Sequence, residues 1–205
     1  EIGVATENIE QVSDILWELK SENDVGIILE LLILISESRG QYDEAIVLME
    51  ELIDKNGNTD ELIINLSELH LNAKHFEKVV DILDPLYENG QYSLDILQML
   101  LISFSMLGQT ENEISIGKKL INKYPDLTVG YESLSFSYLQ SGLNKKAVEI
   151  LMDASTKFPE EVSFPFTLAT ILSASGNYNK AENYFKYVLS IQPDLVSAKH
   201  AMALL

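Results

Sequence analysis

The sequence predicts an all-α fold, a solenoid of tandem helix–turn–helix repeats. Three observations carry that expectation. A short segment recurs five times at a spacing of 34 residues, with no insertion between copies. Apolar residues around each copy return at helical spacing. Glycine and proline stand where a helix has to end.

The recurring segment runs from Gly40 to Ala45, Lys74 to Val79, Gly108 to Glu113, Gly142 to Ala147 and Gly176 to Ala181. Leu29, Leu32 and Ile33 precede the first copy, and Leu48, Met49, Leu52 and Ile53 follow it. Around the fourth copy the same places hold Tyr131, Leu134 and Tyr138, then Ile150, Leu151 and Ala154. Steps of three and four put these side chains on one helical face, so each unit reads as helix, tight turn, helix. Glycine at 40, 108, 142 and 176 can take the left-handed conformation that closes a helix. Pro125, Pro159 and Pro193 stop the second helix of three units.

These residues resemble the tetratricopeptide repeat family, whose period is the same. The units run 26–59, 60–93, 94–127, 128–161 and 162–195. The leucine the family prefers at repeat position seven is met by Leu32, Leu66, Leu100, Leu134 and Leu168. Its tyrosine at position eleven is met by Tyr138 and loosely by Phe104, and its alanine at position twenty by Ala45, Ala147 and Ala181. Pro125, Pro159 and Pro193 match its later proline. The resemblance implies a right-handed superhelical solenoid. Residues 1–25 read as an N-terminal extra helix, the second helix of a partial repeat, spanning Asn8 to Ser21 with Trp17. Residues 196–205 read as the first helix of a partial sixth repeat or a C-terminal cap.

The second and third units depart from the pattern. Val79 and Glu113 replace the small residue, and Gly117 stands where a bulky apolar one is usual. Pro85 falls inside a helix and is expected to kink or shorten it. The stretch from 79 to 120 is therefore expected to pack less well than the rest.

Composition narrows the function. A hydrophobic content of 46% with 22% charged residues indicates a folded chain. Residues 1–93 carry 21 acids against 5 bases, a balance of −16, while residues 94–205 balance at −2. Such acidity repels phosphate and argues against nucleic-acid partners. No apolar run is long enough for direct membrane insertion. The chain has no cysteine, which removes disulfides and thiolate chemistry. The first residues show no signal peptide, so the cytoplasm is the default compartment. With no initiator methionine and an apolar end at Ala201 to Leu205, the sequence reads as a fragment of a longer chain.

No catalytic, cofactor or metal site is expected. His70 and His75 stand five apart, off the same-face spacing of a helical zinc site, and read as structural histidines. Neighbouring acids such as Glu160 and Glu161 do not converge on a point. No phosphate loop or nucleophile elbow is present.

The resemblance implies a concave face lined by the first helix of each unit. Carried onto this chain, it gives a partner-binding groove of Glu30, Glu37, Glu61, Asn65, Glu68 and Asn72, then Asp95, Gln98 and Ile102. Farther along stand Glu132, Phe136, Gln140, Phe166 and Thr170. Leu34, Leu71 and Leu139 share the face and are expected to pack against neighbours. Asn65 matches one position of the carboxylate clamp used by chaperone-binding relatives. Glu30 and Asp95 replace its basic residues, which argues against that specificity. The expected function is a protein-interaction scaffold or adaptor, not an enzyme, that seats a protein or peptide segment with basic residues. A regulatory or substrate-docking domain of a larger enzyme is the alternative, and a self-associating array a further one. Oligomeric state is left open.

Overall fold

Helices and turns alternate with the 34-residue period in a computed structural model that describes residues 2–20 and 26–205, with side chains from residue 9 onward. Twelve helices and no strand are present among the described residues. They form two compact units, one ending at Leu107 and one beginning at Gly108. The division falls inside the third 34-residue repeat.

The first unit holds α1 (Ile2–Lys20), α2 (Gly26–Ser38), α3 (Tyr42–Asn56), α4 (Asp60–Asn72), α5 (Phe76–Glu88) and α6 (Leu94–Met106). Its core joins Leu16 of α1, Leu29 and Leu32 of α2, Leu48 and Leu52 of α3, and Leu66 and Leu69 of α4. The second unit holds α7 (Thr110–Lys123), α8 (Thr128–Gln140), α9 (Asn144–Lys157), α10 (Ser163–Ala174), α11 (Tyr178–Ile191) and α12 (Val196–Ala203). There Tyr131, Leu151, Phe164 and Leu168 form one cluster, and Ala181, Phe185, Val188 and Ala198 another.

The five anchor positions Ala45, Val79, Glu113, Ala147 and Ala181 are all buried. Gly40, Gly108, Gly142 and Gly176 take φ between +67° and +78°, and the second 34-residue repeat places Lys74 in the same region at +62°. Around Lys74 the backbone closes a Schellman turn, with His75 N donating to His70 O at 2.8 Å and Lys74 N to Leu71 O at 3.0 Å. Only glycine takes that conformation without a Cβ penalty, so this turn carries strain its counterparts lack. Thr59 and Ser93 cap α4 and α6 by accepting from Leu62 N and Ile96 N.

Two expectations are corrected, and the one on Pro85 is met only in part. The first helix starts at Ile2, well before Asn8, and Ser21 lies outside the described residues. Helix α5 runs on through Pro85 to Glu88; the proline is exposed in the last turns, and α5 is one residue shorter than α7, α9 and α11. Gly117 marks a close contact rather than missing bulk, because its bare backbone lets Leu134 approach. No helix among the described residues is long and apolar enough to cross a membrane.

Candidate functional site

Helices α2 and α4 each present one polar edge beside an apolar one, because their exposed residues repeat at steps of three and four. On α2 these include Glu30 and Leu34, with the half-buried Glu37 on the same edge; on α4 they are Glu61, Asn65 and Glu68. The two edges border one groove of about 630 Å³ in the first unit. Its floor comes from Ile33, Met49, Leu52 and Leu69, and Asn56 and Thr59 complete the rim.

Five of the sequence-derived residues thus share one groove: Glu30, Glu37, Glu61, Asn65 and Glu68. Leu34, expected to pack inward, is 66% exposed on the same rim. Leu71 is half-buried. Asn72, Asp95, Gln98 and Ile102 do not line this groove, although Asn72, Asp95 and Ile102 are exposed and Gln98 is half-buried. Exposed Met106 follows Ile102 on α6 by one helical turn.

The rim charges have few counterions. Among the described residues, neither Glu30, Glu37, Glu61 nor Glu68 takes part in an ion pair. The nearest consequence is electrostatic. Partial burial lifts the Glu37 carboxyl above its ordinary pKa, and the charge of Glu68 adds to the lift. A cation placed between them would reverse the second effect.

In the second unit a shallower depression of about 160 Å³ is bordered by α8 and α10. Glu132 and Phe136 line it, with Leu139, Ser163, Phe164 and Thr167. Phe136 is 53% exposed, and Phe164, which lines the same depression, is buried. Phe166 does not join it. Its ring meets Phe185 edge-on at 5.7 Å and serves the core. Thr170 is exposed with its hydroxyl donating to Phe166 O, and Gln140 is exposed at the end of α8.

Sequence reasoning missed Asn56 and Thr59, which stand at the end of α3 and at the N-cap of α4 rather than on a first-helix face. It also missed a depression of about 750 Å³ between the start of α9 and the end of α10, lined by Lys145, Val148, Glu149 and Ile171 among others. Lys145 and Glu149 there oppose in sign, and no periodic signal marked the place. Among the described residues, no group of three His, Asp or Glu could hold a metal ion. His70 is buried, and the turn brings its ring against His75, a meeting that helical spacing could not reveal.

Residues 166–195 match the family model of the tetratricopeptide repeat. A curated relative, the BBSome complex member BBS4 of Bos taurus, is 26% identical over 149 residues, which cover 73% of this chain. That span is 28% of the relative's own length. Among solved structures, YrrB, described as a TPR protein with an unusual peptide-binding site, is similar with a TM-score of 0.68 and 14% identity, covering 92% of this chain and 98% of its own. MamA from Desulfovibrio magneticus RS-1 gives a TM-score of 0.70 at 15% identity, covering 85% and 98%. At such identities the likeness establishes the fold. Residues 166–195 thus match a tetratricopeptide repeat, and the chain has the all-α solenoid fold that tetratricopeptide-repeat structures share.

Proposed function

We propose that this chain is a non-catalytic interaction scaffold that seats a segment of another protein on the first-helix face of its repeats. In the first unit that segment carries Lys or Arg beside aliphatic residues. The observation that supports this most is the groove in which Glu30, Glu37, Glu61 and Glu68 surround the exposed Leu34 over an apolar floor. Like charges gathered on a concave surface raise the local concentration of cations and speed encounter with a basic segment. The apolar floor supplies the contact area that charge alone does not. Asp95, Gln98 and Ile102 in the same unit, and Glu132 with Phe136 in the second, extend the same chemistry.

YrrB has a peptide-binding site and BBS4 is a member of a protein complex, and both are in keeping with this reading. The compartment it assigns is the cytoplasm, which cell fractionation checks.

The test uses a fluorescent peptide of alternating Lys and Leu, about 12 residues long, and a matched peptide of Glu and Leu. Glu30→Lys with Glu61→Lys should weaken the Lys peptide by about tenfold, and the loss should shrink as salt rises. The control is Glu77→Lys with Asp81→Lys, an equal charge change on the exposed side of α5. Equal losses from the two pairs would leave only a diffuse field, and the groove reading would fall.

A further inference from the structure

His70 closes α4 and His75 opens α5, on either side of the left-handed Lys74. Their Nδ1 atoms are 3.4 Å apart and their ring centroids 5.6 Å apart, so the two nitrogens lie close to the line between the rings. This head-on meeting suits a shared proton. It does not suit a tetrahedral metal ion, whose ligand lone pairs converge at an angle.

Each neutral imidazole has one N–H and one lone pair. Asp43 Oδ1 lies 3.7 Å from His75 Nε2, which favours the His75 proton on Nε2 and leaves its Nδ1 as the acceptor. His70 then donates from Nδ1. A proton added to His70 Nε2 leaves this bond intact. A second proton has only His75 Nδ1 to occupy, and there it faces the N–H of His70.

We propose that His70 and His75 form an acid-released clasp across the α4–α5 turn, held by one shared hydrogen and opened when both rings become cations. The surroundings bear on it from two elements. Lys78 of α5 adds to the repulsion, while Asp43 and Glu50 of α3 oppose it. Burial and the neighbouring ring outweigh those carboxylates at His70, whose pKa is held below the ordinary histidine value. The unfolded chain therefore takes up the proton first as pH falls. Stability from this ring is present above the ordinary histidine pKa and is lost on acidification. The left-handed conformation that Lys74 holds in this turn adds strain that favours release.

The same two places hold Tyr138 and Leu143 in the fourth unit and Leu172 and Asn177 in the fifth, each with the equivalent backbone bond. Hydrogen exchange can therefore compare the His75 amide with the Asn177 amide in one molecule. After correction for intrinsic rates, their protection ratio should fall about tenfold between about pH 7.5 and about pH 5. In a variant with His70→Tyr and His75→Leu the ratio should stay flat. A flat ratio in the natural chain, or an equal fall in the variant, overturns the clasp. Should the variant not fold, nitrogen spectra of the natural chain's imidazoles at about pH 7.5 decide the matter. The clasp requires a protonated Nδ1 on His70 and a protonated Nε2 on His75, and two Nε2–H rings would refute it.

Discussion

A Cβ built on Gly117 would stand 3.0 Å from the Cβ of Leu134 and 3.3 Å from its Cα. One turn along the same seam, a Cβ on Gly130 would meet Ile121 N and the Leu120 Cβ, both at 3.0 Å. At the other end Ser137 Oγ lies 3.4 Å from Glu113 Oε2, so α7 and α8 run antiparallel with three paired levels. The two glycines set the separation. Glu113 occupies the alanine place of its repeat and finds a hydroxyl partner there, although that hydroxyl also donates to Ser133 O at 2.8 Å.

Gly117→Ala therefore sets two effects against each other. Alanine gains about 1 kcal/mol of helix propensity over glycine. Overpacking costs about 1–3 kcal/mol where the opposing atoms cannot move aside. Here those atoms are a Cβ and the helix backbone, so overpacking wins. Chemical denaturation should show a net loss of about 1 kcal/mol. A gain would mean that α8 can retreat at little cost.

Lys74→Gly should stabilise the chain. The other four copies of this turn carry glycine, and Lys74 holds φ +62° with a Cβ that opposes it. Removing that penalty returns about 1–2 kcal/mol, less the roughly 0.5–1 kcal/mol of extra unfolded-state entropy that glycine brings. The expected gain is about 0.5–1 kcal/mol, seen as a higher thermal midpoint. Gly142→Ala is the mirror experiment and should lower it, since open space around Gly142 does not remove the positive φ.

How much of this was legible depended on whether local periodicity controlled it. Ala45, Ala147 and Ala181 were readable because the period fixes where two helices press together. Glu30, Glu37, Glu61 and Glu68 were singled out by the repeat positions that the family resemblance assigns to the concave face; helical periodicity puts them on one face but does not say which face is concave. Phe166 satisfied the same rule and yet turned onto Phe185, since an aromatic ring can reach a core from an intermediate angle. Gly117 was visible only as a departure. Its meaning depended on how near Leu134 comes, which no single helix records. His70 and His75 met through a left-handed turn at a lysine, where helical spacing has no authority.

The acidic groove has a titration signature of its own. Glu37 has its pKa raised above the ordinary 4.5, by burial first and by the charge of Glu68 second. In the interval between 4.5 and the raised value, the folded chain binds more protons than the unfolded one, so stability falls as pH rises. The penalty is complete above the raised value and absent below 4.5. Glu37→Gln removes the charge and should stabilise the chain at neutral pH, with the benefit fading as pH drops through that interval. Because Glu37 is only half-buried, solvent screening keeps the gain to a fraction of about 1 kcal/mol. Glu68→Gln removes the lesser cause alone. Carbon-detected titration of Glu37 should therefore move only part of the way back toward 4.5 in that variant. A full return would make Glu68 the main cause and burial the minor one. No movement would place the two carboxylates too far apart to share a cation, and the Lys peptide should then bind no more weakly to Glu68→Gln than to the natural chain.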